Sequence, residues 1–220
     1  MQRDDTLRQT LLTRLQHNPG RELPGTGLHR AAVVLAVVDA GPGAELPGFA
    51  ANPGWSTEAA FLLTRRAARM NRHAGQWALP GGRIDEGESA LHAALRELHE
   101  ELALQLQPGS VLGTLDDYAT RSGYVITPFV VWAGAAAVLA PDATEVASAH
   151  RIPLTELLRS DAPILDPPHP GHEHPVLRMP LGEHWVAAPT AAILYQFAQA
   201  CLLGRPTPVA HFDQPQFTWR

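Results

Sequence analysis

The run Gly82-Arg83-Ile84-Asp85-Glu86-Gly87-Glu88 leads through Ser89-Ala90-Leu91-His92-Ala93-Ala94-Leu95 into Arg96-Glu97-Leu98-His99-Glu100-Glu101-Leu102-Ala103-Leu104. Ser89 is a good helix N-cap, and behind it Leu91, Ala94, Leu95, Leu98 and Leu102 recur at the helical period. The spacing therefore predicts a helix with one apolar stripe. At about 100° per residue, Glu97 and Glu101 fall one turn apart on one face, with Glu100 beside them and the stripe opposite. Three carboxylates within a turn repel one another unless cations occupy the cluster. Oxygen donors with no Cys or His among them suit Mg²⁺ or Mn²⁺. Arg96 adds a fixed positive charge that can hold a neighbouring carboxylate in place.

A lone Glu-x-x-Glu-Glu most simply reads as a solvated acidic face, but the longer pattern reverses that weighting. It resembles the Nudix box. There a Gly and a Glu are separated by five residues, and seven more precede Arg-Glu, an aliphatic, any residue, Glu-Glu, any residue, Gly and an aliphatic. At roughly one in fifteen per specified residue, six matches in a chain this long arise by chance on the order of once in 10⁵. Ala103 stands where the pattern has Gly. The resemblance implies an α/β fold, an α/β/α sandwich with a mixed β-sheet. It also implies a metal site made by Glu97, Glu100, Glu101 and the Gly82 backbone carbonyl, with Glu88 at its mouth and Arg96 beside it as further catalytic residues. Family members differ in the carboxylate used as base. Glu100 is one candidate. Glu145, which follows the turn Pro141-Asp142, is another, and it reads equally well as an ordinary exposed loop carboxylate. The chemistry is coherent, because a diphosphate repels an attacking hydroxide until cations neutralise it.

Upstream stands Leu62-Leu63-Thr64-Arg65-Arg66-Ala67, and later Gly75-Gln76-Trp77-Ala78-Leu79-Pro80-Gly81-Gly82. This is similar to the motif of the coenzyme A pyrophosphatase subgroup, departing at Asn71, where the subgroup has Arg, and at Leu79, where it has Phe. The two motifs span residues 62–104, about a fifth of the 220-residue chain. The resemblance implies a substrate site at Arg65, Arg66, Arg69, Arg72, Gly75 and Gly81, and cleavage of coenzyme A to 3′,5′-ADP and 4′-phosphopantetheine. Arg forks suit the additional 3′-phosphate, and about half of these side chains are expected to face solvent. The alternatives are a Nudix enzyme for ADP-ribose, NADH or dinucleoside polyphosphates, and a Nudix domain that senses its ligand without turnover. A complete metal cluster argues against the sensor.

Composition bounds the remainder. Hydrophobic residues make up 45% and charged residues 18%, with a net charge of -5, so nothing advertises nucleic acid or an anionic membrane as partner; the expected partner is a small molecule. All 17 basic residues are Arg, which removes the Walker A loop and lysine Schiff-base chemistry. The amino-terminal residues are polar and no transmembrane run is present, so a cytoplasmic address is expected.

A single domain over residues 1–220 is expected, with helices at about 4–17 and 191–203 and a short one at 153–158. Strands are expected at 31–38, 59–64, 111–114, 125–133 and around 176–186, with a turn at Pro80-Gly81-Gly82. Cys201 reads as a buried core thiol. The Pro-rich tail, 205–220, either docks or stays mobile. His169, His172 and His174 lack a Cys partner or a helical pair for zinc. Gly25-Thr26-Gly27 reads as a turn, and no Gly-x-Ser-x-Gly elbow is present.

Overall fold

The structure is a computed structural model that describes residues 1–24, 27–49, 52–69 and 74–218. Strand β1 (His29–Asp39) is the centre of the fold, and its alternation sets the layers. Ala32, Val34, Ala36 and Val38 point into one core and Leu35 and Val37 into another. Burial on both sides explains why the strand reads as a continuous apolar run rather than an alternating one. Strand β2 (Ala59–Arg66) runs antiparallel to β1, and β7 (Tyr124–Trp132) runs parallel to it. Short strands β3 (Trp77–Ala78) and β4 (Gly81–Arg83) pair with β2 and β1. β5 (Val111–Thr114) and β6 (Tyr118–Ala119) pair with β7, and β8 (Val146–Pro153) pairs with β2. Together these form an eight-stranded mixed sheet.

Helix α2 (Ala90–Leu102) lays Leu95, Leu98 and Leu102 on the first face. Helix α1 (Asp5–His17) and helix α3 (Thr190–Gln196) cover the other, through Leu11, Leu15, Ile193 and Leu194. The expected α/β/α sandwich is therefore present. A second sheet of β9 (Ile164–Asp166), β10 (Val176–Leu181) and β11 (His184–Ala187) packs into the same core through Leu177, Met179 and Leu181.

Several local expectations change. The expected turn at Pro80-Gly81-Gly82 is strand β4 instead. A Cβ at Gly81, where φ is +149°, would collide with the β1 backbone at Ala32 and Val33, so only glycine lets this strand pair. Strand β8 had no clear apolar alternation because it carries His150, buried but satisfied: its Nδ1 contacts Ala44 O at 3.0 Å and its Nε2 contacts Ser148 Oγ at 2.7 Å. The stretch around 176–186 is a hairpin, not one strand, turning at Gly182 with φ +55°. The helix expected over 191–203 stays α-helical only to Gln196 and widens into a π-helical turn, Phe197–Leu202. Cys201 is buried there, which pushes its thiol up to about 12. The tail docks through its described residues: Val209, Asp213, Gln214 and Thr218 are buried.

Ser89 caps α2 as expected, accepting from the His92 N–H at 3.2 Å. At the other end Ala103 adopts the left-handed conformation, with φ +54° and ψ 23°. A Cβ disfavours this geometry, and glycine is the usual residue there. Replacing Ala103 with Gly is expected to stabilise the protein by about 1 kcal/mol, and Ala103→Val to destabilise it, in urea denaturation. A less stable glycine variant would show that the cap carries no strain.

Candidate functional site

The segment between β4 and α2 is closed by one side chain. Arg96 Nε donates to Glu88 Oε1 at 3.0 Å and Nη2 to Glu88 Oε2 at 3.1 Å, a bidentate fork. Nη2 also donates to Arg83 O at 3.1 Å, and Nη1 donates to Glu97 Oε1 and Glu100 Oε2, both at 2.9 Å. All five guanidinium N–H groups are thereby used. The hydrogen bonds from Arg96 hold the Glu88 carboxyl below its ordinary range, and Glu88 in turn binds Arg96 more firmly as a cation.

Three carboxylates meet behind this hub. Single oxygens of Glu97, Glu101 and Glu145 lie within 4.8 Å of one another. Glu97 and Glu101 come from successive turns of α2. Glu145 comes from the loop before β8, which is fixed in place: Asp142 N–H donates to Glu101 O at 3.0 Å, and Ala67 N–H to Glu145 O at 2.8 Å. Glu100 lies outside this trio, more than half exposed and paired with Arg96. The residues at Gly82 and Glu97 are in intimate contact, since a Cβ at Gly82 would overlap the Glu97 carboxylate.

The acidic residues do not all lie opposite the apolar stripe: at about 100° per residue only Glu100 does. Glu101 flanks the stripe beside Ala94 and, with β4 against that side of the helix, is only 4% exposed. Burial, and then the negative charges of Glu97 and Glu145, push its carboxyl up to about 8, against the opposing pull of Arg66 and the Gly81 N–H. Burial also raises Glu97, with Glu100 and Glu145 adding to the effect and Arg96 opposing it. A trio that runs from buried Glu101 through half-buried Glu97 to exposed Glu145 fits a hard divalent cation, which would supply the missing positive charge to oxygen ligands.

Beside the trio opens a cleft of about 470 Å³. Its floor is Gly81, Gly82 and Arg66, and its walls include Trp77, Tyr124, Ile126 and Ile193. Arg66 Nε is buried with no hydrogen-bond partner among the described residues. The other basic side chains turn elsewhere. Arg65 is exposed, donates from Nε to Gly75 O at 3.1 Å and lies over the Trp77 ring at 5.7 Å. Arg69 donates from Nε to Thr144 O at 3.2 Å, bracing the loop that carries Glu145. Arg72, with Asn71, falls outside the described residues. Gly75 lines the cleft with φ +70°.

Sequence reasoning did not single out Arg83, which lies 5.3 Å over the Tyr124 ring, or Trp185 and Phe217 at the cleft mouth. Arg83 sits inside the quoted motif and was open to notice. The two aromatics come from distant segments with no local pattern. The histidine-rich loop serves packing: His172 Nδ1 lies 2.6 Å from the buried Asp213 Oδ2, under the tail. Among the described residues, no helix is long and apolar enough to cross a membrane.

A family model described as NUDIX domain matches residues 53–172, ending before Trp185 and Phe217. The protein described as uncharacterized Nudix hydrolase NudL from Photorhabdus laumondii is 38% identical over 141 residues, 63% of this chain and 75% of the relative. Its namesake from an Enterobacter species is 36% identical over 146 residues, 63% of this chain and 73% of the relative. Among solved structures, the NUDIX domain of Shewanella oneidensis NrtR complexed with ADP ribose aligns with a TM-score of 0.43 and 19% identity, over 66% of this chain and 85% of that one.

The raised Glu101 carboxyl sets a pH dependence. Its ordinary value is 4.5 and its folded value about 8, so between these limits the folded state holds a proton that the unfolded state has lost. Stability of the metal-free protein is therefore highest for this group at low pH, and falls as pH rises towards 8. In EDTA, Glu101→Gln should flatten that fall and melt at a higher temperature than the parent at pH 8. Mg²⁺ should raise the melting temperature of the parent more than that of the variant. A parent and variant with parallel pH profiles would refute the coupling.

Proposed function

Since the chain belongs to the Nudix hydrolase family, we propose that it hydrolyses the diphosphate bond of coenzyme A or its derivatives, releasing 3′,5′-ADP and 4′-phosphopantetheine. The observation that carries the reading is the meeting of Glu97, Glu101 and Glu145 beside a cleft whose floor presents the buried, unpartnered Nε of Arg66. Glu97 and Glu101 are the cation ligands, with the Gly82 carbonyl and either Glu100 or Glu145 completing the set. When bound, Mg²⁺ or Mn²⁺ supplies positive charge to the phosphoryl oxygens and makes water more acidic. Glu100 and Glu145 are the two candidates to accept the proton of the attacking water. Arg96 and Glu88 hold Glu97 in position. Arg66 binds the diphosphate, and Gly81 and Gly82 line the cleft beside it. Arg65 (held to Gly75 O), Arg69 (held to Thr144 O) and Arg72 are the basic residues proposed to answer the added charge of the 3′-phosphate of coenzyme A. The substrate is a small molecule, and the proposed address is the cytoplasm.

Glu97→Gln and Glu101→Gln are each expected to lower kcat on the order of 10³-fold at saturating Mg²⁺, with the fold retained by circular dichroism. Near-normal turnover in either variant would remove it from the ligand set. Coenzyme A is expected to be cleaved with a kcat/KM on the order of 10²-fold above dephospho-coenzyme A, from two charge-assisted hydrogen bonds at roughly 1.5 kcal/mol each. A side-by-side assay adding ADP-ribose and NADH, with products identified by mass, decides this. Equal rates for the first two would show that the 3′-phosphate is not read. Fast ADP-ribose cleavage with inert coenzyme A would move the assignment to that substrate class, and no turnover of any diphosphate would favour a ligand sensor.

A further inference from the structure

We infer that Trp185 and Phe217 form a stacking site for the planar base of the nucleotide substrate, with the carboxy-terminal segment supplying one wall of the cleft; this rests on the diphosphate hydrolase reading. Both side chains are large, apolar and open to solvent, Trp185 at 42% and Phe217 at 52% exposure, and both line the cleft. Their ring centroids lie 6.2 Å apart at 55°. Exposed aromatic pairs at the rim of a cavity cost hydration and are accounted for when a ligand covers them.

Neither ring is placed by a slack segment. Trp185 stands on β11, and the Arg178 guanidinium lies over it at 4.7 Å while itself paired with Asp166. Phe217 belongs to the one-turn helix Gln216–Thr218, whose Thr218 is buried and bonded back to Pro215 O through its N–H at 2.9 Å and its hydroxyl at 2.7 Å. Just before it, Asp213 meets Arg121 at 3.1 Å, and Gln214 Nε2 donates to Ala119 O at 3.1 Å. The segment is thus bolted to β6 and the loop that follows it.

The cleft chemistry selects the base. Among the described residues no carboxylate lines it, its walls are largely apolar, and Gln76, Ser122 and Thr190 offer neutral amide and hydroxyl groups of the kind that meet a base edge. It is continuous with Gly81 and Gly82, so a diphosphate held beside the carboxylate trio leaves its nucleoside directed along the cleft towards the two rings. A volume of about 470 Å³ accommodates a nucleoside as well as part of its phosphate chain.

The test compares Trp185→Ala and Phe217→Ala with the conservative Trp185→Phe and Phe217→Tyr. The alanine variants are expected to raise KM for coenzyme A about tenfold with kcat changed far less, and the conservative variants to recover most of the loss. The ratio of kcat/KM for coenzyme A to that for a dialkyl diphosphate, which has no base, should fall about tenfold. Equal losses on both substrates would make the rings merely structural, and an unchanged KM would remove them from the site. Calorimetric titration in EDTA with adenosine 5′-monophosphate and, separately, pantetheine reads binding without turnover. Weaker binding of the nucleotide alone supports the stacking site even if no diphosphate is cleaved. Weaker binding of pantetheine alone overturns it in favour of the other arm of the substrate.

Discussion

Helix α2 meets β4 at Gly82, where the strand has no side chain, and most of the site follows from that contact. Leu95, Leu98 and Leu102 bind the helix to β1 and its neighbours by burial. The turn that carries Glu97 and Glu101 then has to come down on β4. It can do so because Gly82 leaves room for the Glu97 carboxylate, while Gly81 lets β4 lie close against β1. Hydrophobic packing therefore supplies the force that brings acidic groups out of water, and glycine supplies the space for them.

Desolvating carboxylates in this way is costly unless charge is returned to them. Arg96 returns part of it, spending every donor on Glu88, Glu97, Glu100 and the Arg83 carbonyl. The same contacts also tie the loop from Arg83 to Glu88 against the helix, so orienting Glu97 and closing the loop are one interaction. Glu101 lies beyond the reach of this fork and is left raised by burial, with only Arg66 and a backbone N–H to moderate it. The residual imbalance is localised where a cation would sit, while Glu100 is neutralised at the surface by Arg96.

The acidic trio comes from α2 and the loop before β8, whereas the cleft needs parts from across the chain. Its floor is β4 and the end of β2, its sides are β7 and the start of α3, and its rim is β11 and the carboxy-terminal segment. Buried polar anchors fix that last segment: Asp213 between Arg121 and His172, and the Tyr118 hydroxyl donating to Phe212 O at 2.9 Å. The histidines that resemble a metal loop in the sequence are thus accounted for by tail docking and ring contacts.

The sequence by itself determined α2, its Ser89 cap, the central strands β1 and β2, the layered α/β class and the acidic and Arg side chains that crowd the site. Each of these is written in local periodicity or in a motif of fixed spacing, and local geometry suffices to read it. Tertiary structure alone decided the rest. Strand β8 has too few apolar residues to announce itself, and it forms because β2 supplies its partner and Ala44 satisfies His150. Helical spacing sets Glu101 at the edge of the apolar stripe, beside Ala94, and β4 packed against that edge completes its burial. Glu145 reads as a loop acid until backbone hydrogen bonds to Ala67 and from Asp142 to Glu101 fix the loop beside α2. Trp185 and Phe217 are separated from the motif by most of the second half of the chain, and their juxtaposition comes from sheet register and tail docking, which no short-range pattern encodes.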